Sequence, residues 1–156
     1  MRNGHEKLVR ATIDDADAVR NLVRASYAKW IPVIGREPKP MGANYEHAVQ
    51  HHLVDLLYAD GELAGLIEMI RESGCLLIEN VAVAPAFQGR GYGRLLLTHA
   101  EALAGSLGLR KLRLYTNKMF AENVALYLKL GYTIDREEPF LGGIAVHMSK
   151  PIPRYA

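Results

Sequence analysis

A glycine-spaced run, Gln88-Gly89-Arg90-Gly91-Tyr92-Gly93, has the clearest capacity for chemistry in this 156-residue sequence. Glycine lacks a Cβ, so the backbone there can turn sharply and approach a ligand closely. The next ten residues, Arg94 to Leu103, have helical spacing, and the unpaired N–H groups of a helix's first turn attract an anion. The amides from Gln88 to Arg94, with Arg90 and Arg94 as charged partners, read as a site for a phosphate-bearing ligand. A tight turn with two solvated arginines is the plain alternative.

Other residues carry chemistry of a different kind. Glu79 lies inside the apolar run Leu76 to Val83, where a carboxylate is costly unless it is paired or used. It stands four positions before Val83, which predicts that both share one side of the pleat. It could take a proton directly or through water, hold a positive charge, or form a structural salt bridge. Asn123 and Tyr127, also four apart, share a helix face. His47 and His51 have a spacing that can bind metal, with His52 adjacent, but the glutamate of the zinc-protease order is missing. They read as a satisfied or solvated pair, and no metal is expected. Cys75 is the single cysteine, so no internal disulfide forms, and its apolar surroundings suit a small buried hydrophobe.

Three anion-binding motifs compete for the glycines. A P-loop needs Gly-x-x-x-x-Gly-Lys before Ser or Thr, and no such run occurs. A dinucleotide fingerprint would place a third glycine where Arg94 stands and an acidic residue after the next strand, and Lys111 to Thr116 ends without one. The third motif fits. Gln88-x-x-Gly91-x-Gly93, after Val81-Ala82-Val83 and Pro85, resembles the acetyl-CoA-binding signature of the GNAT acetyltransferase superfamily. The opening Arg10-Ala11-Thr12-Ile13-Asp14-Asp15 also resembles that superfamily's approach to its first helix. So does the run from Asn123 to Tyr132, although Ala125 stands one place early.

The resemblance implies an α+β (mixed α/β) fold, with a mostly antiparallel sheet of about six or seven strands and helices on both faces. It implies acetyl-CoA as co-substrate. The backbone of Val81, Ala82 and Val83 would pair with the pantetheine arm, the Val83 N–H would polarise the thioester carbonyl, and Gln88, Gly89, Arg90, Gly91, Tyr92, Gly93 and Arg94 would hold the pyrophosphate. Asn123, with Asn117, joins the cofactor-binding residues. Tyr127 would protonate the departing sulfur, against the alternative of a packing tyrosine bonded to a backbone carbonyl. Tyr27, Trp30 and Tyr45 would wall the acceptor site, and His147 is a second candidate for the base beside Glu79. The implied activity is transfer of an acetyl group to a primary amine by direct attack in a ternary complex, Cys75 being unsuited to an acetyl-cysteine route. The alternatives are a catalytically silent acetyl-CoA-binding sensor of the same fold and an unrelated nucleotide-binding domain.

The elements that must position these residues follow from periodicity and turn chemistry. Strands are predicted at Leu8–Ile13, Leu53–Ala59, Leu63–Arg71, Leu76–Val83, Arg110–Thr116, Tyr132–Arg136 and Ile144–Met148, with an Asp60-Gly61 hairpin between the second and third. Helices are predicted after Asp14 as N-cap, from Tyr45 to His52 behind Asn44, after Gly93 and from Met119 to Leu130. Proline and glycine mark Trp30 to Ala43 as a loop. Hydrophobic residues make up 49% and charged residues 23%, ordinary for one globular domain spanning 1–156. A net charge of +2 with interspersed signs gives no nucleic-acid surface. No apolar run reaches membrane-span length, and Met1 to Glu6 does not read as a secretion signal, so a cytoplasmic protein is expected, with a homodimer open.

Overall fold

The computed structural model describes residues 5–153. The reading of Met1, Arg2, Asn3 and Gly4 as lacking a secretion signal lies outside them. The strands are β1 (Glu6–Arg10), β2 (Leu53–Ala59), β3 (Glu62–Arg71), β4 (Cys75–Val83), β5 (Lys111–Asn117), β6 (Thr133–Phe140) and β7 (Gly143–Pro151). They form one sheet in the order β1-β2-β3-β4-β5-β7-β6. Every neighbouring pair is antiparallel except β4 and β5. The helices are α1 (Ala16–Tyr27), the single turn α2 (Ile31–Ile34), α3 (Tyr45–His51), α4 (Tyr92–Ser106) and α5 (Ala121–Lys129).

Both faces of the sheet are covered, as the fold class requires. On one face α4 buries Leu95, Leu96, Leu97, Ala100 and Ala104 against Ile67, Met69, Leu76, Ile78, Leu112, Leu114 and Met148. On the other, Val19, Leu22 and Val23 of α1 and Tyr45 and Ala48 of α3 pack on Val54, Leu56, Leu66 and Ala82. Removing this apolar surface from water at roughly 25 cal/mol per Å² is the main force holding the layers together. Gly65 lets β3 come close to β4, since a Cβ there would lie 2.9 Å from the Ala82 carbonyl oxygen.

Several boundaries move from those predicted. β1 ends at Arg10, because the Thr12 N–H donates to Asp15 Oδ2 at 2.8 Å and starts a 3₁₀ turn over Ile13–Asp15. Asp14 is therefore not the N-cap; Thr12 and Asp15 close the turn as a reciprocal pair. The stretch predicted as a loop from Trp30 contains α2, stopped at Gly35 (φ 74°), and a 3₁₀ turn at Lys39–Gly42. β6 runs on to Phe140 and carries Pro139, which an edge strand tolerates. The hairpin to β7 turns through Leu141 (φ 49°) and Gly142 (φ 79°), and Asp60 (φ 51°) with Gly61 (φ 82°) makes the predicted one between β2 and β3.

Two features of β4 shape the centre of the molecule. Glu68 pairs with Asn80 and Met69 with Ile78, so Glu79 has no partner on β3 and stands in a β-bulge. The bulge breaks the two-residue alternation. Leu76, Ile78, Val81 and Val83 all face the α4 side, while Asn80 bonds to tyrosines on the opposite side. Glu79 and Val83 thus do not share a side of the pleat, which corrects the spacing argument. The second feature is the short seam with β5, which pairs only Cys75–Ile78 with Lys111–Leu114. Beyond it the two strands part and leave a wedge.

Candidate active site

Residues at the wedge present their backbone to it. Ala84 N–H donates to the Ala64 carbonyl at 2.8 Å, so Ala82 and Ala84 turn their polar groups to β3 while Val81 and Val83 turn theirs away. The Val83 carbonyl accepts from Gln88 Nε2 at 3.0 Å, and the Val81 carbonyl from the Tyr27 hydroxyl at 3.3 Å. The bulge and the short seam leave this strand end with main-chain groups for a ligand to pair with.

A groove of about 400 Å³ runs from the wedge to the start of α4. Val81, Val83, Gln88, Gly89, Gly91, Tyr92, Gly93, Arg94, Trp30, Asn123 and Tyr127 line it. Gly89 and Gly91 carry φ of 80° and 83°, which side-chain-bearing residues rarely adopt, and these values aim the turn into the N-terminus of α4. Gly91 caps that helix and offers no side-chain acceptor to its first turn, so the amides there remain for an anion. Arg90 lies outside the lining, its guanidinium 5.2 Å above the Phe87 ring. Ala82 is buried on the α1 and α3 side.

A second cavity, about 260 Å³, meets the groove at Tyr27, Val81, Asn123 and Tyr127, which line both. Tyr45, Glu68, Glu79, Tyr115, Asn117 and Phe120 are among its other walls. Two carboxylates, Glu68 and Glu79, line this cavity. Glu46 pairs at the surface with Arg20, and Asp55 is held by Arg10 and His99 on the α4 side. The Tyr115 hydroxyl donates to Glu79 Oε1 at 3.2 Å, and Lys39 Nζ lies 3.4 Å from the same hydroxyl, above the Tyr115 and Phe140 rings.

The tyrosines here are held protonated. Burial pushes the Tyr127 phenol up to about 12. Burial, reinforced by the neighbouring acidic groups, also raises Tyr27 and Tyr45. Tyr27 donates to Asn80 Oδ1 at 2.7 Å, and Tyr45 donates to the Pro40 carbonyl at 2.6 Å while accepting from Asn80 Nδ2 at 3.2 Å. Asn80, 3% exposed, thus fixes two walls of the cavity at once.

Besides Arg90 and Ala82, three residues stand elsewhere than the sequence reading put them. Trp30 lines the groove rather than the second cavity and stacks on Phe120. Asn117 lines the second cavity rather than the groove, its Oδ1 accepting from Met119 N–H at 2.9 Å. His147 lines neither. It lies behind Tyr115, ring centroids 5.6 Å apart, with Nε2 2.5 Å from Glu138 Oε1. Sequence reasoning did not single out Asn80, Tyr115, Phe120 or the pair of Glu68 with His52. Glu68 carried the signal that drew notice to Glu79, a carboxylate within an apolar strand.

Comparison with known proteins follows the same lines. A family model described as "Acetyltransferase (GNAT) family" matches residues 16–132. Streptothricin acetyltransferase of Streptomyces lavendulae is 32% identical over 104 residues, a match covering 61% of this chain and 55% of that protein. N-alpha-acetyltransferase 80 of Mus musculus is 37% identical over 79 residues, covering 51% of this chain and 23% of that protein. The chain therefore spans little more than half of the first relative and under a quarter of the second. The crystal structure of PaiA N-acetyltransferase from Thermoplasma acidophilum in complex with coenzyme A superposes with a TM-score of 0.76 at 18% identity, covering 94% of this chain and 98% of that one.

Proposed function

The chain belongs to the GNAT acetyltransferase family, and within it we propose that it moves the acetyl group of acetyl-CoA to a primary amine by direct attack in a ternary complex. The observation that carries this is the junction where groove and second cavity meet between Val81 and Tyr127. One opening suits a phosphate-bearing thioester and the other an amine.

The groove fits acetyl-CoA on its own features. It joins backbone at a strand end to a helix N-terminus without a side-chain cap through two left-handed glycines, a path for an amide-bearing arm that ends in phosphates. Gln88, Gly89 and the residues from Gly91 to Arg94 would hold the pyrophosphate, and Val81, Val83 and Asn123 the arm. Bound there, acetyl-CoA supplies an acetyl group activated as a thioester. The Val83 N–H, turned into the wedge, offers a hydrogen bond to a carbonyl oxygen that gains charge. The Tyr127 hydroxyl holds its proton at neutral pH and delivers it where the two openings join.

Glu79 receives the acceptor's charge. The Tyr115 hydroxyl that donates to its carboxylate and the ring faces of Tyr115 and Phe140 already surround one cation, the Lys39 ammonium. That arrangement favours an acceptor that arrives as an ammonium ion.

Incubation with acetyl-CoA and a panel of primary amines, following released thiol, tests the proposal. Thiol release that depends on the amine supports it. Tight acetyl-CoA binding without amine-dependent release would instead establish the silent sensor of the same fold.

A further inference from the structure

One buried acid of the second cavity has no part in the scheme above. Glu68 sits on β3 opposite the bulge, 5% exposed, and its Oε2 lies 2.6 Å from Nδ1 of His52, the residue that ends α3. Both side chains line the cavity. No lysine or arginine pairs with Glu68 among the described residues. Burial raises its carboxyl above the ordinary value, the His52 hydrogen bond opposes that, and the charge of Glu79 adds to it. The titratable groups around the pair are Glu79 from β4, Tyr45 and His47 from α3, and Tyr27 from α1.

The choice of partner matters. A carboxylate held by arginine stays ionised and cannot pass a proton on, whereas a carboxylate and an imidazole can hold and release one near neutral pH. A route outward is present as well. The His47 ring lies 5.7 Å from that of His52 and 4.3 Å from that of His51, which is exposed.

We propose that Glu68 and His52 together take the proton the acceptor ammonium must lose before it attacks, and release it to solvent past His47 and His51. The proposal rests on the acetyl-transfer reading. The N–H bond breaks toward Glu68, and the nitrogen keeps the electron pair that then bonds to the acetyl carbon as the carbon–sulfur bond breaks. Sulfur takes a proton from Tyr127, and Tyr127 regains one from the newly bonded nitrogen. One proton per turnover leaves through His52. Glu79 anchors charge and Glu68 moves the proton.

The test is the pH profile of kcat/KM for an alkylamine with His52→Gln, which keeps a donor to Glu68 but cannot carry a proton. Glu68→Gln is the companion variant, and melting temperature and acetyl-CoA binding are measured for each. Near pH 7 the His52→Gln enzyme should lose about 100-fold, and near pH 10.5, where about half of the amine is already neutral, it should recover to within about threefold of wild type. An equal loss at both pH values, or no loss at either, in a folded variant that binds acetyl-CoA normally overturns the proton role alone. Absence of wild-type turnover with every amine overturns the acetyl-transfer reading and this role with it.

Discussion

The indole of Trp30 lies on the ring of Phe120, centroids 4.5 Å apart and planes inclined by 24°. Trp30 follows α1 directly and Phe120 caps α5, so the stack ties the first helical segment to the helix that carries Tyr127. One ring faces the groove and the other the second cavity. A stacked pair is worth about 1 kcal/mol beyond its buried area. Trp30→Ala should therefore raise KM for acetyl-CoA about tenfold and lower the melting temperature. An unchanged KM would mean that the stack serves only the fold.

Tyr127→Phe removes one hydroxyl from the junction and leaves the ring packed beside Tyr132. Loss of a general acid typically costs about 10²-fold or more, so kcat should fall by that much while acetyl-CoA affinity stays within about twofold. Burial holds the phenol at about 12, so wild-type activity should show no decline from Tyr127 ionising below about pH 11. Unchanged turnover in the phenylalanine variant would remove Tyr127 from the chemistry.

Lys39 and an incoming ammonium compete for the same ring faces and the Tyr115 hydroxyl. An exposed cation over aromatic rings gains about 0.5–1 kcal/mol. Lys39→Met should lower KM for a cationic acceptor by about threefold, and Glu79→Gln should raise it about tenfold with a smaller change in kcat. Steady-state kinetics with the amine varied at saturating acetyl-CoA measures both. A higher KM in Lys39→Met would mean that the lysine recruits the acceptor instead.

Asp55 concerns stability alone. Its Oδ2 lies 2.7 Å from His99 Nε2, its Oδ1 accepts from Arg10 Nε, and it lines neither cavity. Burial alone would raise its pKa, but the hydrogen bonds from His99 and Arg10 outweigh that and hold it below the ordinary value. A folded value below the unfolded one stabilises the native state above the unfolded pKa, and that contribution disappears as pH falls through the folded one. Asp55→Asn should cost about 3 kcal/mol at neutral pH and flatten the acid limb of a stability-against-pH curve, with kcat unchanged at moderate temperature. A parallel acid limb in both proteins would exclude Asp55 as its source.

Sequence disclosed what local rules control. The glycine turn, the Asp60-Gly61 hairpin, the alternating strands and the shared face of Asn123 and Tyr127 each depend on residues a few places apart. It failed where an inserted residue or a distant partner decides. Period-two counting put Glu79 with Val83, and one unpaired residue in β4 reversed that. Glu68 finds His52 across two strands, and Trp30 finds Phe120 across 90 positions, neither of which any local pattern encodes. The family resemblance made Trp30 and Tyr45 candidates for the acceptor wall, yet only the tertiary packing, with Trp30 stacked on Phe120 and Tyr45 bonded to Asn80, shows which opening each one serves.

The four rungs joining Cys75–Ile78 to Lys111–Leu114 hold together two otherwise self-contained half-sheets, one of four strands and one of three. A ligand arm lodged beyond the last rung would act as extra stitching in that join, bonded to Val81 and Val83 on one bank and flanked by α5 on the other. Acetyl-CoA would then be a temporary structural member as well as a reactant. Its arrival should slow amide exchange along the far ends of both central strands, and its departure should leave the protein weakest where its chemistry takes place.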